Sequence, residues 1–306
     1  MRLFGITALA AALALPVLAD PVEIKLGVKQ GDKITRIGEF GGKGKLAVKM
    51  GEQEQELDCI MGESSVIAEE VLEAKDGLPT KLKRYYSKNY NVEQIPDMGH
   101  DQSKDSTLLG KLLTLEVKDG KPVTTFEGAG EAEAKELKKE KTGLEIDSAM
   151  VPGKAVNVGD SWEADPEKAK NAFGGDEGEE ISEASLACTL ESLEEKYGQK
   201  CAKIQVKLTT KGTRTENGQK MKVSLSLEGP VWFGLTAGRT LGMDLEGKLK
   251  SSGDLPGGQK MKLTISIKAK AESKTGVADF SAKPEPGGGE EEGEEEEEEK
   301  EEGSGK

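Results

Sequence analysis

His100 is the single histidine of the chain, and Asp101, Ser103 and Asp105 follow it closely enough to offer a nucleophile, a base and an orienting carboxylate. Hydrolysis of the Ser-His-Asp kind needs those residue types, but this spacing matches no hydrolase motif, and a lone histidine in a polar loop is ordinarily solvated. No catalytic residue is therefore assigned, and the chain reads as non-enzymatic. One histidine and three scattered cysteines, Cys59, Cys188 and Cys201, do not form ligand pairs at zinc spacing, so neither a metal site nor a cofactor is expected. Gly41-Gly42-Lys43-Gly44 lacks the spacing of a phosphate loop and reads as a hairpin turn or a strand bulge. Cys188 and Cys201 are near enough in sequence to suggest a disulfide. Strand parity argues against it, because Cys188 shares a face with Leu186 and Leu190, whereas Cys201 falls opposite to Ala202 and Ile204.

The surroundings of these residues are exported and acidic. Arg2, the apolar run 3–18 and the small residues Val17 and Ala19 ahead of Asp20 have the form of a secretory signal peptide over residues 1–19. The run is short for a membrane span of about 20 residues, so the expected product is periplasmic or secreted, with no membrane span. Residues 283–306 hold 12 Glu against 3 Lys, so most of the formal net charge of −14 lies in this stretch. The rest of the chain is mildly acidic and only 4% of the chain is aromatic, which offers neither a basic groove nor stacking platforms and disfavours a nucleic-acid binder.

The elements that must carry any site are strands. Residues 221–227 alternate apolar and polar without a fault, and Gly218-Gln219-Lys220-Met221-Lys222 returns as Gly258-Gln259-Lys260-Met261-Lys262, so antiparallel strands of about ten residues repeat. Two-residue hairpins are expected at Asp76-Gly77, Asp119-Gly120 and Asn217-Gly218. Their registers set Val71 against Leu82, Ile67 against Tyr86, Leu115 against Thr124, Leu113 against Phe126 and Leu208 against Leu227. A three-residue loop at Lys196-Tyr197-Gly198 sets Cys188 against Val206 and Cys201 against Leu193. One helix is expected over residues 131–141, too thin in apolar residues to do more than lie across a sheet edge or bridge two halves. A second, short one follows Asp165-Pro166. The fold class is mainly β, a curved sheet, half-barrel or open barrel, with a β-sandwich as the alternative. The organisation is a β-rich half over 20–128, a helix and connector over 129–150, a second antiparallel half over 151–280, and a Glu-rich tail over 281–306 expected to be disordered.

The most distinctive wording is Val151-Pro152-Gly153-Lys154-Ala155-Val156-Asn157-Val158-Gly159-Asp160-Ser161-Trp162. It reads as a proline-led short strand, a Gly-Asp turn, and a Trp that plugs a core while its ring nitrogen finds an acceptor. Together with Gly110-Lys111-Leu112-Leu113-Thr114-Leu115, it resembles a family of exported bacterial proteins known only as a domain of unknown function, over most of residues 20–277. The resemblance implies a β-rich exported fold and no catalytic residue. Many relatives look like lipoproteins, and this chain departs from them in lacking an acylated cysteine.

Two functions are compatible with these features, with an unrecognised hydrolase as a remote third. A curved sheet could hold an apolar or lipid-like ligand against Leu225, Leu245 and Ile265, residues that an ordinary core would also explain. Alternatively, the glutamate tail could contact a basic partner or divalent cations, weakly and with salt sensitivity.

Overall fold

The computed structural model describes residues 20–119, 121–174, 178–216, 218–255 and 259–287. Residues 1–19, where a signal peptide is expected, and most of the Glu-rich tail lie outside them. The first half supplies β1 (Val22–Glu23), β2 (Lys33–Met50), β3 (Gln53–Lys75), β4 (Leu78–Ile95), β5 (His100–Asp101), β6 (Lys104–Asp105), β7 (Leu112–Lys118) and β8 (Lys121–Thr125). A connector carries α1 (Glu131–Leu137), α2 (Glu145–Met150), β9 (Ala155–Val156), β10 (Ser161–Glu163) and α3 (Pro166–Phe173). Five long strands follow: β11 (Glu179–Lys196), β12 (Gln199–Glu216), β13 (Gln219–Gly234), β14 (Arg239–Leu255) and β15 (Gln259–Thr275).

Thirteen strands form one antiparallel sheet in the order β10-β11-β12-β13-β14-β15-β2-β3-β4-β7-β8, with β5 and β6 beside β4. The two halves thus merge through a β15–β2 ladder that runs from Lys260↔Lys49 to Thr275↔Ile34. The sheet curves without closing into a barrel, because β8 and β10 remain edges. Its inner face carries the alternating apolar side chains of both halves, and Cys59 of β3 shares one buried cluster with Leu186, Ile204, Phe233 and Ile265. The outer face carries Lys43, Lys45, Lys222, Lys248, Lys262 and Lys268, all exposed. That is the reverse of the apolar outer band of a lipid-embedded barrel. No helix among the described residues is long and apolar enough to cross a membrane.

Hairpin registers follow the sequence arithmetic closely. Val71↔Leu82 and Ile67↔Tyr86 pair across β3 and β4, Leu115↔Thr124 across β7 and β8, and Leu208↔Leu227 across β12 and β13. Leu113 and Phe126 are not a ladder pair, because the β7–β8 ladder ends at Thr114↔Thr125, but Phe126 packs against the cluster that holds Leu113. The turn before β12 is a two-residue one at Tyr197-Gly198, with positive φ at both (53° and 74°), so Cys201 opposes Glu194 instead of Leu193. A register shift between Leu190 and Ser192 then restores the expected Cys188↔Val206 pair.

The Gly41–Gly44 stretch is neither a turn nor a bulge. Gly42 pairs with Ile267 on one side and Met61 on the other, in ladders without a register shift. A Cβ on Gly42 would fall 1.7 Å from the Ser266 carbonyl oxygen, and one on Gly247, which also pairs with Ile267, would fall 1.8 Å from the Ser226 oxygen. Gly41 itself adopts φ 149°. These glycines make a crease that bends the sheet without ending its strands. Strand length also differs from expectation: β11 to β15 run 16 to 18 residues, not about ten.

The connector covers part of the inner face. α1 is shorter than expected and buries only Leu137, which joins Leu82, Tyr86 and Leu113 in a smaller cluster near the β8 edge. α2 escapes sequence reading because six residues show no helical period; its first residue, Glu145, fixes the incoming chain by accepting from Thr142 N and Gly143 N, both at 2.9 Å. α3 starts where Asp165-Pro166 predicts, with the Asp165 carboxylate accepting from Glu167 N and Lys168 N at 2.9 and 3.2 Å. Ala169 and Ala172 on this helix are buried, and the helix packs on β11. Replacing Asp165 by alanine should cost about 1 kcal/mol, read as a lowered urea midpoint with unchanged slope.

Beyond Phe280, residues 281–287 are held along β4 and are not a free start to the tail. Tyr85 Oη donates to the Ala282 carbonyl at 2.7 Å, and Glu285 N donates to Ser87 O at 2.7 Å. Backbone hydrogen bonds, which do not depend on apolar content, hold this polar segment.

Candidate functional site

The residues singled out from sequence go to separate places. His100 sits in β5 opposite Ile95. Its neighbours are engaged elsewhere: Asp101 closes a turn by accepting from Ser103 N at 2.8 Å and also accepts from Gln94 Nε2 at 3.1 Å, while Asp105 holds the C-terminal segment by accepting from Gly287 N at 2.8 Å. The hydrogen bonds from Ser103 hold Asp101 below the usual carboxylate range. All three cysteines are free and buried. Cys188 is pushed up to about 12 by burial, and burial raises Cys59 and Cys201 as well, which makes them poor nucleophiles. Among the described residues, no three His, Cys, Asp or Glu side chains converge in a metal-holding group.

Leu225, Leu245 and Ile265 share the inner face, Leu225 and Ile265 through their common partner Leu249. Leu245 and Ile265 lie within the main cluster, whereas Leu225 is half-buried against it. The half-buried side chains continue toward the rim at which β2 ends and β13 begins, as Leu46, Val223, Leu249 and Leu263.

The Gly-Asp-Ser-Trp segment is structural. Trp162 opposes Cys188 and donates from Nε1 to the Met150 carbonyl at 2.7 Å, which supplies the acceptor its sequence demanded. Asp160 closes the preceding turn on Asn157 N at 2.8 Å.

Sequence reading missed a buried cluster of charges at the opposite rim. Glu69 of β3, only 2% exposed, directly opposes Arg84 of β4. Its Oε1 accepts from Arg84 Nε at 2.8 Å and from Arg36 Nη2 at 2.6 Å, and its Oε2 lies 3.8 Å from Arg239 Nη2. The connector closes over these groups. Glu140 pairs with Arg84 Nη1 at 2.5 Å and accepts from Tyr86 Oη, Thr142 O accepts from Arg84, and Gly143 O accepts from Arg36 at 3.3 Å. Gly143, at φ 82°, must lack a side chain, since a Cβ there would lie 2.2 Å from Arg36 Nη1. Asp147 of α2 accepts from Thr240 N at 3.0 Å, beside Arg239.

The electrostatics follow from burial opposed by pairing. Burial alone would raise Glu69, but Arg36, Arg84 and Arg239 outweigh it and hold the carboxyl at about 2. Asp147 has fewer compensating charges, so burial leaves it raised despite the Thr240 hydrogen bonds. Burial and the neighbouring Arg36 lower Arg239, only partly offset by Glu69 and Asp147. Without a nucleophile the cluster has no evident chemistry. It locks the connector onto both halves of the sheet.

Its signal was present in the residues. The register that sets Val71 against Leu82 and Ile67 against Tyr86 also sets Glu69 against Arg84 on the apolar parity, where a charge demands a partner. The chain also has five arginines against 38 lysines, and three of the five converge here, where a forked, planar donor is needed.

No protein-family model matches the chain, and no curated protein matches it. Among solved structures, an outer membrane channel from Pseudomonas putida F1 is similar at 8% sequence identity with a TM-score of 0.24, over 84% of this chain and 99% of that one. A likeness at that level carries no argument about this protein.

Proposed function

We propose that this is an exported, non-enzymatic binding protein that holds an apolar or lipid-like ligand at the less covered end of its concave sheet. The observation that carries the reading is the half-burial of Leu46, Val223, Leu225, Leu249 and Leu263 in one row beside the fully buried Leu227, Leu245, Ile265 and Ile267. The helices pack against β11 and β8, at the two flanks of the sheet, and not over this row. Contiguous apolar surface rimmed by charge is what a monomeric chain otherwise avoids. The signal-like leader supports export, and the resemblance to exported proteins agrees with it.

Native mass spectrometry of the chain purified after export, set against its denatured mass, tests this directly. A co-purified apolar species that leaves on denaturation is the expected result. Leu225→Asp should weaken uptake of a lipophilic fluorescent probe about tenfold or more, since burying an unpaired carboxylate against the ligand is costly. A bare mass together with equal probe uptake by both proteins would sink the proposal.

A further inference from the structure

The rim bearing the charge cluster also holds a cleft of about 520 Å³, far from the Leu225 row, lined by Lys29, Asp32, Lys33, Gln199, Thr236 and Arg239 among others. Arg239 is only 5% exposed. Its Nε is buried without a hydrogen-bond partner, and its nearest ion pair is the long one to Glu69 at 3.8 Å. The two carboxylates that could serve it are otherwise engaged: Glu69 is held tightly by Arg36 and Arg84, and Asp147 by Thr240. A buried guanidinium short of hydrogen bonds is costly, so a site of this kind is completed by an anion.

The rest of the lining agrees in sign. Lys29 and Lys33 are exposed cations beside Arg239, and Lys33 reaches Glu70 only at 3.9 Å. Asp32, the one carboxylate among the lining residues, accepts from Lys29 N at 2.8 Å and offsets one of the three cationic charges, so the lining stays net positive. Gln199 Oε1 accepts from Ala237 N at 3.0 Å, which orients its amide. The wall is fixed by backbone: Gly27 N donates to Gly238 O at 3.1 Å, and Gly31 N donates to Val71 O at 2.8 Å.

We propose that this cleft binds a phosphate group, with the Arg239 fork as its anchor and Lys29 and Lys33 as flanking cations. Three cations converging on one cleft match a multiply charged tetrahedral oxyanion, and a guanidinium is the donor suited to it. The cleft is roomier than a bare phosphate requires, so the group could be free phosphate or the headgroup of a phospholipid.

Titration calorimetry of the full chain with inorganic phosphate at low salt, and co-sedimentation with phosphatidylglycerol against phosphatidylcholine vesicles, test both sources. Saturable binding in either arm is expected; phosphate alone identifies the free anion, and phosphatidylglycerol without phosphate identifies the headgroup. Arg239→Lys should weaken binding about tenfold, because it keeps the charge and loses the fork. Lys29→Ala and Lys33→Ala, both at exposed positions that leave the core intact, should each weaken it several-fold. Absence of saturable binding in both arms, or wild-type affinity in both lysine variants, would overturn the proposal. The Leu225 variant should leave phosphate binding unchanged, which separates this site from the apolar one.

Discussion

Glu69→Gln is expected to lower the unfolding free energy by about 3–5 kcal/mol at neutral pH, the cost of leaving buried charges without their partner. The amide keeps the shape of the carboxylate but removes the one charge that, among the described residues, pairs with Arg36, Arg84 and Arg239 together. Glu140 still compensates Arg84, so the penalty falls mainly on Arg36 and Arg239. Acid should bring the two proteins together. The folded carboxyl of Glu69 lies at about 2, below the unfolded value of about 4.3, so its contribution is complete above that unfolded value and is lost as pH falls toward 2. Asp147 acts in the opposite sense: its raised folded pKa means that protonation on acidification favours the fold. Urea unfolding of both proteins from pH 7 to pH 2.5 checks this. A difference under about 1 kcal/mol at pH 7, the range of an exposed pair, would show that the cluster is not a lock.

The second large effect concerns the crease. Gly42→Ala places a methyl group 1.7 Å from the Ser266 carbonyl oxygen, in a ladder paired on both sides, so two strands must part or the bend must flatten. A loss of about 3 kcal/mol is expected, at the upper end of overpacking costs. Gly51→Ala is the control. It sits at a turn with φ 63° and nothing within 4 Å of an added Cβ, so only backbone strain of about 1 kcal/mol applies. Equal urea midpoints for the two variants would show that the sheet does not depend on the glycine bend.

Much of the architecture was legible before any coordinates. Two-fold alternation identified the strands, and Asp-Gly and Asn-Gly turns set the registers of β3–β4, β7–β8 and β12–β13, because a two-residue turn leaves no freedom in which residues face each other. Asp165-Pro166 marked the start of α3 for an equally local reason, a capping carboxylate followed by a residue with no amide to satisfy. The reading went astray where glycine has two meanings. Gly41–Gly44 looks like a turn because glycine permits one, yet here it lets β2 bend and continue. At Tyr197-Gly198, the turn length and a compensating shift beyond Leu190 could not be separated by counting parity.

Strand identity, hairpin register and the inward apolar parity are thus written in neighbours a few residues apart, since they rest on backbone sterics and a two-residue period. The β15–β2 ladder that makes one sheet of two halves joins residues more than two hundred positions apart, and no local rule selects it. The same holds for the meeting of Arg36, Glu69, Arg84 and Arg239. Glu69 meets Arg84 through the β3–β4 hairpin and Arg36 through the β2–β3 hairpin, where Glu69 pairs with Ile34 and Arg36 with Ile67, but Arg239 arrives only when β14 is carried around the curved sheet and the connector folds over the group. Charges this scarce and this deeply buried are stable only in company, and that company exists only in the folded chain.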